Sequence, residues 1–171
     1  MALALACRPA TPIGQRVEAT YDDSTGRLRQ LTVNGDKDGK PDIFSHMDAG
    51  RFVRIEIDEN EDGKIDRWEH YGADQKLQKV GFSRANDGKE DAWGFLGPDG
   101  KIARLEISTK RDGKTNRAEF YENGSLVRAE EDTDGNGRVD RWETYADGVL
   151  ATVSFDLTES GKPTTTVDYR K

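Results

Sequence analysis

A glycine returns along this chain at nearly constant spacing, and this period constrains the fold more than any other feature. Consecutive members are 24 or 25 residues apart, and they are Gly39, Gly63, Gly88, Gly113, Gly137 and Gly161. A fixed period between about 20 and 50 residues is typical of repeat proteins, in which each unit packs against its neighbours. We therefore expect one array of similar units along the 171-residue chain.

Each unit carries the same residue types at fixed distances from its glycine. An acidic or amide residue stands three positions later, and an aromatic residue stands five positions later in most units. The residues at this second position are Phe44, Trp68, Trp93, Ala118 and Trp142, so that alanine is the exception. A tyrosine, a short turn with glycine and an apolar residue then complete the typical unit.

The second half of each unit alternates apolar and polar residues with period two. In segment 52–58, for example, Val53, Ile55 and Ile57 alternate with polar residues. This pattern predicts strands, and short turns such as Asn123-Gly124 predict hairpins. The expected fold class is all-β, an antiparallel meander of about a dozen strands built from ~24-residue β-hairpin repeats. Because one face is apolar and must be covered, we expect a coiled or sandwich-like sheet, and pairing of that face with another protein is the alternative.

Two segments around the repeated glycine, 58–69 and 132–143, match the calcium-loop pattern D-x-[DN]-x-[DN]-G-x5-E in full. Oxygen ligands at every second position suit Ca²⁺, which takes six to eight oxygens, better than Mg²⁺, which demands tighter octahedral geometry. The predicted ligands are Asp58, Asn60, Asp62, the Lys64 carbonyl, Asp66 and Glu69, and then Asp132, Asp134, Asn136, the Arg138 carbonyl, Asp140 and Glu143.

These loops are expected in an unusual setting, because an EF-hand loop joins two helices and the flanks here have the period of strands. We therefore predict EF-hand-like loops between consecutive hairpins. If a strand begins at Asp66, then Asp66 and Glu69 point to opposite faces of the sheet. The glutamate could then reach the ion only through a bend or a bulge, and the same holds for Glu143.

A third loop keeps part of the calcium pattern and predicts a weaker metal site. Its ligands would be Asn34, Asp36, Asp38 and Asp42, with Ser45 in place of the glutamate. The other loops hold isolated acidic residues and are predicted to be turns without metal. The same interpretation is an alternative for every loop, since Asp, Asn and Gly favour turns through side-chain to backbone hydrogen bonds.

The unit W-x-x-Y-x-x-G-x-L resembles the MORN-variant repeats of bacterial antitoxin-like proteins over residues 17–170. That resemblance implies hairpins along an elongated sheet and a protein partner. With its acidic loops, the chain is also similar to the calcium-loop repeat lipoproteins of some Gram-negative bacteria. This second resemblance implies a place in the cell envelope.

The first residues suggest how such an envelope protein would be attached. Small residues precede Cys7, as at the end of a bacterial lipoprotein signal, although a charged region before them is missing. We expect residues 1–14 to be a signal or lipobox remnant with a linker, and residues 15–171 to be a single β-hairpin repeat domain. Lipidation at Cys7 would be the only contact with a membrane, and an incidental cysteine is the alternative.

Composition and motifs argue against nucleic-acid binding and against catalysis. The net charge is -7, with acidic residues spread over the loops, whereas nucleic acid requires a basic stripe. No G-x-S-x-G, P-loop or C-x-x-C motif is present. We therefore expect no catalytic residues, and a hydrolase with two carboxylates on the tryptophan face is the least favoured hypothesis.

The pattern also predicts roles for the tryptophans and for the alternating arginines and glutamates of the sheet. The tryptophans are expected to pack in the core or across strands, and an exposed row of them would bind a protein or carbohydrate ligand. Arg67, Arg117 and Arg141 alternate with glutamates, which predicts cross-strand salt bridges on a solvent-exposed face. Such exposed pairs contribute little to stability.

Two functions follow from these patterns. The first is a non-enzymatic calcium-binding repeat protein of the bacterial cell envelope or surface, stabilised by calcium and acting as a structural or interaction module. The alternative is an intracellular MORN-like protein-binding scaffold or antitoxin without metal. Calcium separates them, because crowded carboxylates repel one another until a cation neutralises them and adds its binding energy to folding.

Overall fold

The computed structural model describes residues 16–35 and 38–170, and in it the chain forms one antiparallel sheet of 13 strands. The predicted all-β meander is confirmed. Cys7, the segment 1–14 and the proposed ligand Asp36 lie outside the described residues. The strands are β1 (Arg16–Tyr21), β2 (Leu28–Asn34), β3 (Ile43–Asp48), β4 (Arg51–Ile57), β5 (Arg67–Tyr71), β6 (Leu77–Phe82), β7 (Ala92–Leu96), β8 (Ile102–Ile107), β9 (Arg117–Glu122), β10 (Ser125–Glu131), β11 (Arg141–Ala146), β12 (Val149–Phe155) and β13 (Thr165–Asp168).

The sheet is a single layer. Each described strand contacts only the strands before and after it in sequence, so the sandwich alternative does not apply. The chain exposes 11880 Å² of surface, whereas a compact folded monomer of 19.1 kDa exposes about 8,400 Å². No helix among the described residues is long and apolar enough to cross a bilayer. Stability therefore depends on contacts between neighbouring strands.

Each hairpin contains one bulge at an equivalent place beside its turn. In the hairpin of β3 and β4, His46 pairs with Arg54 but Met47 pairs with Phe52, which leaves Val53 as the extra residue. The same register shift recurs in the other five hairpins. Because a bulge increases the local right-handed twist, the repeat applies the same twist to the sheet in every unit.

The cross-strand register separates two faces. The aliphatic face contains the buried residues Val80, Ala92, Ile107, Ala129 and Val153. The tryptophan face contains the cross-strand row that runs through Phe44, Glu56, Trp68, Gly81, Trp93, Glu106, Ala118, Glu130 and Trp142. The expected alternation along the strands is thus confirmed.

The predicted loops all lie at one end of the strands, and the hairpin turns lie at the opposite end. Backbone hydrogen bonds join each loop to the next. For example, the Asn116 carbonyl accepts from Asp132 N–H at 2.7 Å, and the Asp140 carbonyl accepts from Asp156 N–H at 2.9 Å. The loops therefore form a continuous row of hydrogen-bonded segments.

Candidate metal centre

All six loops are closed by a side chain at their ninth position, counted from the first residue of the calcium pattern. This side chain accepts a hydrogen bond from the N–H group of the second loop residue at 2.6–3.0 Å. The ninth residues are Asp42, Asp66, Asp91, Asn116, Asp140 and Thr164. The amide of Asn116 and the hydroxyl of Thr164 accept this hydrogen bond as the carboxylates do. The contact therefore explains why a polar residue recurs at the ninth position without requiring a metal.

The first position also stabilises the loop backbone. Asp58 accepts from Gly63 N–H at 2.8 Å, and Asp132 accepts from Gly137 N–H at 2.7 Å. Both glycines have positive φ values, 87° and 88°, which a residue with a side chain rarely adopts. The glycine at the sixth position is therefore required by the backbone, whatever the loop binds.

The loop that begins at Asp132 adds a cluster of carboxylates to this common framework. One oxygen each from Asp132, Asp134 and Asp140 lie within 4.8 Å of one another. Two oxygens bound to the same Ca²⁺ at 2.3–2.6 Å are at most about 5 Å apart, so this spacing fits a calcium ion. Asn136 stands beside the cluster, where its Nδ2 donates to Asp134 Oδ2 at 2.9 Å.

The equivalent loop at Asp58 does not gather its carboxylates in this way. Among the described residues, the cluster at Asp132 is the one group of three acidic, histidine or cysteine side chains with such spacing. Asn60 takes the third position, and its Nδ2 donates to Asp66 Oδ1 at 3.3 Å. Asp62 accepts from Lys64 N–H at 2.9 Å, and Asn136 makes the same contact with Arg138 N–H at 2.8 Å, so the two loops differ in the spacing of their carboxylates and not in this turn.

The partial loop at Asn34 has one feature that points beyond a turn. Asn34 Oδ1 is buried and has no hydrogen-bond donor among the described residues. Asp42 accepts from Gly35 N–H at 2.6 Å, and Asp38 accepts from Lys40 N–H at 2.6 Å. An unpaired buried oxygen at the first position is a feature that a bound cation would satisfy.

The two predicted bidentate ligands, Glu69 and Glu143, are not brought to the loop carboxylates. Glu143 lies on the aliphatic face, where it accepts from Arg141 at 2.5 Å and from the Tyr145 hydroxyl at 2.7 Å. Glu69 makes the same two contacts with Arg67 at 2.5 Å and Tyr71 at 2.6 Å. The final position of the calcium pattern therefore coincides with a motif of the strand, Arg-x-Glu-x-Tyr.

The sequence contained a signal for this second role. Arg117, Glu119 and Tyr121 follow a loop with Lys110 among its ligand positions, yet they keep the motif. In the structure Glu119 accepts from Arg117 at 2.9 Å and from Tyr121 at 2.7 Å. Because Glu119 is present although its loop lacks metal ligands, its role is to bind Arg117 and Tyr121 within the strand.

The arginines and glutamates form a network that is largely buried, which corrects the expectation of a solvent-exposed face. Arg117 contacts three carboxylates, those of Glu119 at 2.9 Å, Glu131 at 3.1 Å and Glu143 at 2.7 Å. The side chains of Arg117 and Glu143 are only 14% and 5% exposed. Arg141 adds a second cation beside Glu143. Removing one partner from such a network costs more free energy of unfolding than removing one partner of a surface pair does.

These contacts shift the acidity of the groups involved. Burial alone would raise the pKa of Asp132, but the N–H groups of Gly137 and Gly135 outweigh it and hold this pKa below its ordinary value. Burial also opposes ionisation of Glu143, yet hydrogen bonds from Arg117 and Tyr145 lower its pKa. For Tyr121, burial and then the hydrogen bond to Glu119 raise the pKa to about 12.

The free energy of unfolding is expected to fall as the pH drops below about 4.5, with Glu143 as one identified cause. Its pKa is lower in the folded protein than the ordinary value of 4.5, so its contribution is complete above that value and is lost as the pH falls through the folded pKa. Denaturant unfolding from pH 6 to pH 3 in EDTA would measure this slope. In Glu143→Gln the slope should be smaller, and an unchanged slope would remove Glu143 from the explanation.

Comparisons with known proteins identify no family for this chain. No protein-family model matches the sequence, and no curated protein is similar to it. Among solved structures, a similarity is found to a chain in the crystal structure of accessory secretory protein 1,2 and 3 in Streptococcus pneumoniae. The identity is 17% and the TM-score 0.33, over 67% of this chain and 19% of that chain. The chain thus spans about a fifth of the length of that protein.

Proposed function

We propose that this chain is a non-enzymatic calcium-binding repeat protein and that its principal site is the loop from Asp132 to Asp140. The observation that supports this proposal is the convergence of the Asp132, Asp134 and Asp140 carboxylates within 4.8 Å. Asn136 and the Arg138 carbonyl complete the oxygen ligands of the pattern, and water takes the place of Glu143. The loops at Asn34 and Asp58 are weaker sites of the same kind.

The role of the ion in this proposal is to stabilise the sheet. Three neighbouring carboxylates repel one another, and calcium converts that repulsion into attraction. The bound loop is joined by backbone hydrogen bonds to the loops on both sides, through Asn116 and Asp156. Calcium would thus stabilise the row of loops at one end of the strands, in a sheet that has no second layer to support it.

The proposed setting is the bacterial cell envelope or surface, where the sheet acts as a structural or interaction module. It rests on the resemblance to calcium-loop repeat lipoproteins and on the expected lipidation of Cys7. Extracellular calcium modules bind with dissociation constants of about 10⁻⁴–10⁻³ M. A constitutive stabiliser needs no tighter binding, since calcium outside cells is in the same range.

Adding 10 mM Ca²⁺ is expected to raise the melting temperature above its value in EDTA. At about 10 to 100 times the dissociation constant, one site adds about 1.4–2.7 kcal/mol to the free energy of unfolding. This corresponds to roughly 3–10 °C for a chain of this size. Differential scanning calorimetry in EDTA, Ca²⁺ and Mg²⁺ would measure the effect.

Matched variants assign the effect to the loop. Asp134→Asn removes one carboxylate of the cluster, while its side-chain oxygen can still accept from Asn136 N–H. This variant should lose most of the calcium-dependent shift. Asp112→Asn removes one charge from a loop predicted to be a turn without metal, and it should keep the full shift. An equal shift in both variants, or none in the unmodified protein, contradicts the proposal.

A metal-free scaffold of the MORN type is the second candidate function. The observation that favours it is the common hydrogen bond at the ninth loop position, which Asn116 and Thr164 make without a carboxylate. Under this hypothesis the acidic loops are turns, and the sheet itself recognises a protein partner. Identical melting curves in EDTA and in calcium would support it.

A further inference from the structure

The tryptophan face has a gap in its row of large side chains. Ala118 stands where the neighbouring units place Trp93 and Trp142. A cavity of about 210 Å³ opens at this place. It is bounded by the strands β8, β9 and β10 and by the loop that ends at Asp140.

The other small residue of the row, Gly81, leaves no such gap. The Glu90 side chain lies over Gly81, so close that a Cβ atom there would collide with it. Glu90 is held in that place by His70 at 2.7 Å. Ala118, by contrast, lines the cavity that opens on this face of the sheet. The vacancy lies where the repeat places a tryptophan in the neighbouring units.

Carboxylates surround this vacancy. Glu106 and Glu130 stand on either side of Ala118 in the cross-strand row, and Asp132 lines the end nearest the loop. Arg117 also lines the cavity, but its guanidinium is on the aliphatic face with Glu119, Glu131 and Glu143. The polar groups that line the cavity therefore favour a positively charged ligand.

Two of these carboxylates have unused hydrogen-bonding capacity. Glu106 and Glu130 each bind their own arginine, Arg104 or Arg128, through Oε1, and among the described residues neither has a hydrogen bond at Oε2. Those arginines stack over Phe95 and Phe120, one row away from the cavity. By contrast, Glu56 in the same row uses both oxygens, one with Arg54 and one with His46.

We propose that the cavity at Ala118 binds the guanidinium group of an arginine side chain from a partner polypeptide. A guanidinium is flat, like the tryptophan that the repeat places here, and it presents several N–H donors in one plane. Two carboxylate oxygens on opposite sides of the slot are the acceptors it requires. An arginine with a blocked amine and a free α-carboxylate is a poorer ligand, because the acidic lining repels that carboxylate and no α-ammonium group compensates it.

This inference goes beyond the proposed calcium function and does not depend on it. Binding is therefore measured in EDTA, so that failure of the calcium site leaves this result interpretable. The probe is N-acetyl-arginine amide, titrated into the isotopically labelled full chain and followed by amide chemical shifts. We expect shifts at Ala118, Glu106 and Glu130, with a dissociation constant of about 1 mM for a ligand of this size.

Two changes to the cavity should remove this response. Ala118→Trp fills the vacancy with the residue that the repeat favours, so it should abolish binding while retaining the fold. The double variant Glu106→Gln, Glu130→Gln keeps the shape and should weaken binding at least about tenfold. Glu18→Gln is the matched control, because Glu18 lies in the same row with its own arginine, Arg16, at 2.9 Å and far from the cavity.

Other probes define the chemistry of the ligand. N-acetyl-lysine amide and N-acetyl-arginine, which keeps a free carboxylate, should bind more weakly than N-acetyl-arginine amide. The proposal is overturned if the blocked arginine causes no shift at Ala118, if the double variant binds as the control does, or if indole binds more tightly than arginine. Equal binding of N-acetyl-arginine would overturn the assignment to an arginine within a polypeptide.

Discussion

Replacing Arg117 with alanine is expected to lower the free energy of unfolding by about 3–5 kcal/mol. The guanidinium contacts Glu119, Glu131 and Glu143, and all four side chains are at most 15% exposed. Its loss leaves three carboxylates crowded on the aliphatic face, where water reaches them poorly. Arg141 would remain as the only arginine contacting Glu131 and Glu143 among the described residues.

Equilibrium unfolding in urea would measure this change, and Arg16→Ala provides the control. Arg16 contacts Glu18 at 2.9 Å, but these side chains are 78% and 57% exposed. An exposed pair of this kind contributes about 0–1 kcal/mol. Adding Glu143→Gln to Arg117→Ala should restore part of the loss, because it removes one of the uncompensated charges. If Arg117→Ala costs no more than Arg16→Ala, the network does not stabilise the sheet.

The sequence was sufficient to predict the repeat and the strand type. The period of the glycines and the alternation in segments such as 52–58 both depend on local geometry, so they could be recognised without knowing the packing. The number of layers could not be predicted from the sequence. A single sheet and a sandwich present the same alternation, and the difference lies in whether distant strands meet.

The predictions that failed concern which face a charged residue occupies. The alternation of Arg117 and Glu119 predicts salt bridges on a solvent-exposed face, but these side chains share a face with Ile107 through the register of β8 and β9. For Glu143 the calcium pattern and the strand parity predict different positions, and in the structure this side chain contacts Arg141 and Tyr145 on the aliphatic face. A motif match counts residue types, whereas the parity of a strand decides where they point.

The candidate site was predictable in outline but not in detail. Both complete loops satisfy the same pattern, and only the one at Asp132 brings three carboxylates together. The difference at the third position, Asn60 against Asp134, determines part of this, since an amide donates where a carboxylate only accepts. The vacancy at Ala118 was visible in the sequence as a missing aromatic residue, but the flanking glutamates became apparent only from the register.

Replacing Ala129 with leucine is expected to destabilise the protein by about 3 kcal/mol, from overpacking and from disruption of the charge network together. Ala129 is 1% exposed and pairs directly with Glu119 on one side and Glu143 on the other. The contact between Arg117 and Glu143 crosses its strand, β10. A small side chain at this place lets the arginine reach across, and a leucine would occupy that space.

Ala19→Leu is the matched control for this substitution. Ala19 belongs to the same cross-strand row on the aliphatic face, but it lies on the edge strand β1 and is exposed. It should change the free energy of unfolding by less than about 0.5 kcal/mol. If Ala129→Leu acts by separating Arg117 from Glu143, its cost should shrink by more than about 1 kcal/mol when Arg117 is already alanine. Additive effects of the two substitutions would mean that leucine at position 129 acts by steric crowding alone, and that the small residue is not what permits the bridge across β10.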